Sequence, residues 1–192
     1  MTLTKSKIYT ATEYLEFEVN AEGRHEYING EIIPMTGGTP NHNDIASNLL
    51  IIIKLALRGK LYRTFITDQR LWIPQLNKFT YPDVMVVSEP IQLQAGRTDS
   101  ITNPLLIAEV LSQGTRSYDK DEKFTAYRTI ASFQEYLLID QYAPSVEQYT
   151  KISNHQWIFR EYNNIGEIVA LESIPVEIAL TDLYQNIQFE AP

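Results

Sequence analysis

Residues 104–112 read "PLLIAEVLS", a nearly unbroken apolar run that constrains the fold more than any other stretch of the chain. A strand apolar at successive positions has to be covered on both faces, so it belongs inside a sheet with further structure above and below. The run nevertheless holds a carboxylate, Glu109, where an ionised side chain is expensive. Something opposite Glu109 must make it tolerable. "EYLLID" (135–140) reads as a second buried strand.

The remaining elements arrange themselves around these two. "YTATEYLEFEVN" (9–20) reads as a short helix capped by Thr10, and "HEYINGEIIPM" (25–35) as a β-hairpin turning at Asn29-Gly30. "TGGTPNHND" (36–44) is a loop that feeds a second helix, whose apolar stripe is Ile45, Leu49, Ile52, Ile53 and Ala56. "LYRTFITDQRLWIP" (61–74) and "FTYPDVMVVS" (79–88) read as strands, and "QLQAGRTDSITN" (92–103) as an exposed loop. "SYDKDEKFTAYRTI" (117–130) reads as a helix capped by Asp119, with Glu122 reaching back. From 144 onward "PSVEQYTKI", "QWIFREY" and "EIVALESI" alternate as a strand meander. This order predicts an α/β (α+β) sheet protein and neither a bundle nor a sandwich.

A chain of 192 residues fits one domain, with a core over about 10–150 and a C-terminal elaboration over 151–192. The absence of cysteine excludes disulfides, thiolate metal sites and cysteine nucleophiles. The longest apolar run, 45–57, is interrupted by Asn48 and Lys54 and suits a core helix better than a membrane span. The first ten residues lack an apolar signal region, so the expected location is the cytoplasm. A formal net charge of −8 argues against non-specific coating of nucleic acid, which needs many cations set against phosphates. It leaves open a local basic surface near a site for an anionic substrate.

The chemistry concentrates on two acidic residues at the edges of apolar strands. Asp83 follows Pro82 and precedes "VMVV", and Glu109 lies in "LIAEVL". Pro82 has no N–H for a ladder, so it marks a strand start or a bulge, a place where a side chain is re-aimed. Two carboxylates on neighbouring strands raise one another's pKa, and a hard divalent cation removes that penalty. Lys123, early in the helix after the Glu109 strand, has the reach to fold back and support a developing negative charge. Asp, Glu and Lys beside Mg²⁺ form a set suited to phosphodiester hydrolysis.

"YPDVMVVSEP", "IAEVLSQGTRSYDKDEKFTAYRTI" and "FQEYLLID", preceded by "RHEYINGEIIPM" and "NHNDIASNL", together resemble the Uma-type restriction endonuclease family, a branch of the PD-(D/E)XK nuclease superfamily. The resemblance covers roughly residues 10 to 150 and implies a restriction-endonuclease-like central mixed sheet flanked by helices. It implies that Asp83 and Glu109 bind Mg²⁺ (or Mn²⁺) and that DNA is the substrate. The superfamily's usual lysine would fall at Leu111; the branch places it on the next helix, at Lys123. Glu26 matches an acidic position on the first strand that serves as an extra metal ligand or orients water. Superfamily nucleases often work as homodimers, and the C-terminal meander offers an apolar surface for one.

His42 stands as a minor general-base candidate at the start of the second helix, and Gln69 and Tyr127 as candidate pocket residues, with core the preferred reading for Tyr127. Arg70, Arg116 and Lys120 are candidates for phosphate contact or for plain surface. Two other functions stay open. The acidic charge and Leu111 suit a non-catalytic binding module on the same fold, and the same metal set would also hydrolyse a smaller phosphoester.

Overall fold

The computed structural model describes residues 7–189, so the first six residues of the segment read above for a signal lie outside the described residues. Among the described residues no helix is long and apolar enough to cross a membrane.

Helix α1 (Ala11–Asn20) begins at a complete capping box: Thr10 accepts from the Glu13 amide, and the Glu13 carboxylate accepts from the Thr10 amide in return. Strands β1 (His25–Ile28) and β2 (Glu31–Pro34) form the expected hairpin, with Asn29 and Gly30 both at positive φ, as a tight twisted turn requires. Helix α2 (Pro40–Ala56) is capped by Thr39, with Pro40 in its first turn where a missing N–H costs nothing. It buries Ile45, Ala46, Leu49 and Ile53, while Ala56 faces solvent and Leu57 takes the expected place of Ala56 in the core.

The two long strands read over 61–74 and 79–88 each divide in two. β3 (Tyr62–Ile66) and β4 (Arg70–Ile73) are separated by a turn, and β5 (Lys78–Thr80) and β6 (Val84–Ser88) by Tyr81-Pro82-Asp83. Both breaks are places where the chain leaves one sheet for another. β1, β2, β4, β5 and a short β7 (Ser100–Ile101) form a five-stranded sheet in the order β2-β1-β5-β4-β7. β7 falls in the segment read as an exposed loop, yet Ser100 and Ile101 are buried because β7 pairs parallel to β4.

The second sheet is the central one. β8 (Pro104–Leu111), β9 (Glu135–Asp140), β10 (Val146–Ser153) and β11 (Gln156–Tyr162) join β6 and β3 in the order β11-β10-β9-β8-β6-β3. The β8–β9 pair is parallel and the others antiparallel, so the sheet is mixed, as expected. The meander stops at β11, because β12 (Ile168–Ala170) pairs instead with β13 (Glu177–Ala179) ahead of the short α5 (Leu180–Leu183).

Both faces of this sheet are covered, as the composition of 104–112 demands. Val84, Val86, Leu106, Ala108, Val110, Leu137 and Ile139 face α2 and the C-terminal segment. Met85, Val87, Ile107, Leu111, Tyr136 and Leu138 face β4 and the helix after β8. That helix starts as α3 (Arg116–Tyr118), widens into a π-helical segment (Asp119–Lys123) and ends as α4 (Phe124–Tyr127). Asp119 does not cap it. Ser112 and Thr115 share a side-chain hydrogen bond at the start, and Asp119 lies one turn inside, buried.

Candidate active site

The register of β6 on β8 decides where the acidic residues meet. Val84 stands opposite Ala108, which sets Asp83 opposite Glu109 in the next antiparallel step. Alternation puts Glu109 on the same face as Ile107 and Leu111, toward the π-helical segment. The Asp83 carboxylate crosses to β8, where its Oδ2 accepts from the Val110 amide at 2.8 Å. Glu109 Oε2 stands 3.3 Å from the Asp83 amide. Pro82 therefore marks the point where the chain changes sheets and turns Asp83 back onto β8.

Lys123 does fold back. Its Nζ lies 3.1 Å from Glu109 Oε1, 3.1 Å from Asp119 Oδ1 and 3.6 Å from Glu26 Oε1. The extra residue per turn in the π-helical segment accompanies this placement, and such bulges recur at functional sites. Glu26 arrives from the other sheet, on β1, so the group is assembled where the two sheets meet. All four sequence-derived candidates, Glu26, Asp83, Glu109 and Lys123, thus line one open cleft of about 720 Å³.

Three neighbours contact this group. His42, in the first turn of α2, places Nε2 3.2 Å from Asp83 Oδ2. Burial opposes a charged imidazole there, but the hydrogen bond and charge of Asp83, with Asp119 behind, outweigh it and raise the His42 pKa. Tyr127 is a core residue that does not line the cleft: it is fully buried behind Glu109, and its hydroxyl donates to Glu109 Oε1 at 2.8 Å. Asp119, read from sequence as a cap, is the third carboxylate on Lys123. Its spacing four residues before Lys123 was the available signal. Gly38 matters for a different reason. A Cβ there would lie 2.9 Å from His42 Nδ1, so only glycine lets the imidazole sit as it does.

The remaining candidates do not reach the cleft as free groups. Gln69 donates to the Asp99 carbonyl, and the nearly buried Arg70 pairs with Asp99 and Ser100. Arg116 is tied to Asp140 and Lys120 to Glu147. These cations hold strands and loops together, and none of the three lines the cleft.

The charge balance of the cleft says what it lacks. Burial raises the Glu109 pKa first; Lys123 lowers it, and Asp83, Asp119 and Glu26 raise it further, with a net increase. Four carboxylates share one ammonium and one imidazole. Glu135, just as buried, differs: neutral donors from Gln148, Glu172 and Ser173 satisfy it. Among the described residues no group of three or more His, Asp or Glu side chains is set to hold a metal ion. Mg²⁺ asks for less, since one or two carboxylates with water and substrate phosphate complete its octahedron. Asp83 and Glu109 fit that pattern. Each commits one oxygen to protein partners, Oδ2 and Oε1, leaving Oδ1 and the weakly engaged Oε2 toward a cation.

Comparison with known proteins gives the family and the architecture. The model of the Uma2 family, described as "Putative restriction endonuclease", matches residues 11–182. "Uncharacterized protein sll1609" of Synechocystis sp. is 43% identical over 172 residues, covering 90% of this chain and 96% of that protein. A second Synechocystis protein, "Uncharacterized protein slr1290", is 31% identical over 177 residues, covering 92% of each. The crystal structure of a "putative nuclease belonging to DUF820" from Anabaena variabilis superposes with a TM-score of 0.74 at 20% identity, over 91% of this chain and 97% of that one. That likeness extends the shared architecture, a restriction-endonuclease-like mixed sheet with its flanking helices, to almost the whole chain.

Proposed function

The chain belongs to the Uma2 family, and we propose that it is a Mg²⁺-dependent endonuclease that hydrolyses DNA phosphodiester bonds. The observation that carries this reading is the meeting of Asp83, Glu109 and Lys123 at the base of one open cleft, with the lysine supplied by the helix after β8. Asp83 and Glu109 would hold the metal through Oδ1 and Oε2. Bound there, Mg²⁺ supplies a positive charge that activates water and polarises the phosphoryl oxygens.

The chain's own groups do the rest. The Lys123 ammonium, held between Glu109 and Asp119, stabilises the charge that builds on the phosphoryl oxygens as water attacks and the P–O bond to the leaving alkoxide breaks. Glu26, with one oxygen on Lys123, orients water on the hairpin side of the cleft. Tyr127 fixes the Glu109 carboxylate, and burial together with nearby negative charge keeps its phenol protonated as the donor. His42 locks Asp83 from the α2 side. No covalent enzyme intermediate is needed. A homodimer would set one such cleft against each strand of a duplex, and the exposed Ile152, Ile158 and Phe159 of β10 and β11 supply apolar surface for it.

Supercoiled plasmid incubated with Mg²⁺ is expected to be nicked or linearised by the wild type and left intact by Asp83→Ala, Glu109→Gln and Lys123→Ala. Full activity in any one of these variants refutes the role given to that residue. A second reading rests on how completely Lys123 is enclosed by carboxylates: a binding module that keeps the nuclease fold without turnover. A wild type that neither cleaves plasmid nor binds Mg²⁺ through Asp83 decides for it, whereas turnover of small phosphodiesters without plasmid cleavage points to a smaller phosphoester.

A further inference from the structure

From Ile45 through Ile66 the chain has no Asp or Glu, although Asp and Glu outnumber Lys and Arg 24 to 16 overall. The same stretch holds Lys54, Arg58, Lys60 and Arg63. The fold gathers all four around one concavity of about 560 Å³, between the C-terminal half of α2, the turn after it and β3. Each of the four side chains is exposed. Among the described residues none has a carboxylate within ion-pairing distance, in contrast to Arg70, Arg116, Lys120 and Lys123. No acidic residue lines the concavity. Gly59, at a φ of +77°, lies two residues past the Leu57 C-cap and turns the chain so that Arg58 and Lys60 flank the same opening.

Two cations beside a helix C-terminus would be ordinary, since the helix dipole favours them there. Four that converge on one hollow, unopposed in an acidic protein, form an electrostatic feature of their own. Its position relates it to the catalytic cleft. Both hollows are bordered by α2 and by β3 or the turn after it: the catalytic cleft by His42, Asn43 and Thr67, the basic one by Leu50, Lys54, Arg63 and Thr64 among others. From Asn43 to Leu50 is about 10 Å at 1.5 Å per helical residue. Arg63 pairs with Val87, about 13 Å along β6 from Asp83 at 3.3 Å per strand residue. The cations therefore stand about 13–18 Å from the catalytic side chains, with Lys54 twelve helical residues beyond His42, a separation of roughly four to five base-pair steps at 3.4 Å each.

We propose that this basic hollow is a nucleic-acid backbone site that holds duplex phosphates flanking the scissile one. The inference rests on the nuclease reading for its ligand, and on the charge and spacing for its place. It reconciles an acidic chain with a polyanionic substrate: attraction is confined to one surface next to the cleft, and the rest of the protein repels non-productive contact.

The test measures binding of a fluorescein-labelled 25-base-pair duplex by anisotropy in EDTA, between 50 and 200 mM salt, for wild type, Arg58→Gln/Arg63→Gln and Lys54→Gln/Lys60→Gln. Circular dichroism confirms that these surface variants fold. Each pair of lost phosphate contacts should make the slope of log affinity against log salt shallower by about 1.8, a roughly twelvefold smaller loss across that range. Hydrolysis of bis(p-nitrophenyl) phosphate, which needs only the catalytic cleft, should match the wild type. Variants with wild-type affinity and slope overturn the proposal even if plasmid cleavage persists. So does binding to phosphatidylcholine vesicles containing phosphatidylserine that depends on Arg58 and Arg63 while duplex binding does not, because exposed Ile51, Leu55 and Leu61 would then mark a membrane surface. Duplex binding that depends on these arginines in a protein that cleaves no phosphodiester upholds the surface and removes the nuclease reading instead.

Discussion

Replacing Glu109 by glutamine removes one negative charge from a buried cluster that holds too many, and the consequence for stability can be worked out. In the metal-free protein burial and the neighbouring Asp83, Asp119 and Glu26 raise the Glu109 carboxyl from 4.5 to about 8, with Lys123 acting against them. A folded-state pKa above the unfolded value means that the folded protein binds the proton more tightly. Stability contributed by that proton is present in full below pH 4.5 and is lost as pH rises toward 8. The slope is about 1.4 kcal/mol per pH unit, so the wild type should lose about 3–5 kcal/mol across that window through this one group. The side-chain amide of Glu109→Gln would keep the hydrogen bonds from Tyr127 and Lys123 and carry no charge, so the variant escapes this loss. Urea unfolding in EDTA at pH 5, 6, 7 and 8 reads the difference directly. The variant should match the wild type near pH 5 and exceed it progressively toward pH 8, and Mg²⁺ should stabilise the wild type alone. A variant that is uniformly less stable, with a difference independent of pH, would refute the view that Glu109 is a strained carboxylate waiting for a cation.

Three other substitutions probe the surroundings of the cluster. Gly38→Ala would place a methyl group 2.9 Å from His42 Nδ1 and push the imidazole off Asp83; plasmid cleavage should fall at least tenfold with little change in melting temperature. Tyr127→Phe deletes the hydroxyl on Glu109 Oε1 and should cost about 1–3 kcal/mol in urea unfolding, as expected when a buried polar group loses its hydrogen-bond partner. Asp99, with its carboxyl held down to about 2 chiefly by Arg97 and helped by Arg70, contributes stability that is present above pH 3.8 and lost as pH falls through 2. The stability gap between wild type and Asp99→Asn should therefore narrow between pH 4 and pH 2, and a gap that widens on acidification would contradict the sign.

Much of this was legible in the chain itself, for reasons that differ element by element. The hairpin followed from Asn29-Gly30, which sits at positive φ as the turn demands. Asp83 and Glu109 were singled out by their place at the edges of apolar strands and by the family resemblance, whereas their register was not legible, because strands buried on both faces carry no alternation to fix it. What escaped was non-local. Arg70, Arg116 and Lys120 looked free because their partners Asp99, Asp140 and Glu147 lie 29, 24 and 27 residues away. β7 looked like loop because Ser100-Ile101 is too short for a periodic signal, and its burial comes from pairing with β4. The breaks at 67–69 and 81–83 were hidden inside continuous β-prone runs, since a change of sheet leaves no composition of its own. Asp119 read as a cap because Asp before a helical run usually is one, whereas it lies inside a π-helical segment, buried and paired with Lys123.

The proposed hydrolysis turns on whether Asp83 and Glu109 share a cation. A crystal of the wild type soaked in Mn²⁺ and measured for anomalous scattering answers this without any assay of activity. The expected result is one strong peak between Asp83 Oδ1 and Glu109 Oε2, about 2.0–2.2 Å from each as for a hard cation on oxygen ligands, with Lys123 Nζ still beside Glu109. A cleft with no peak under saturating Mn²⁺, or a peak bound by other residues while these two carboxylates stay as they are, would contradict shared ligation.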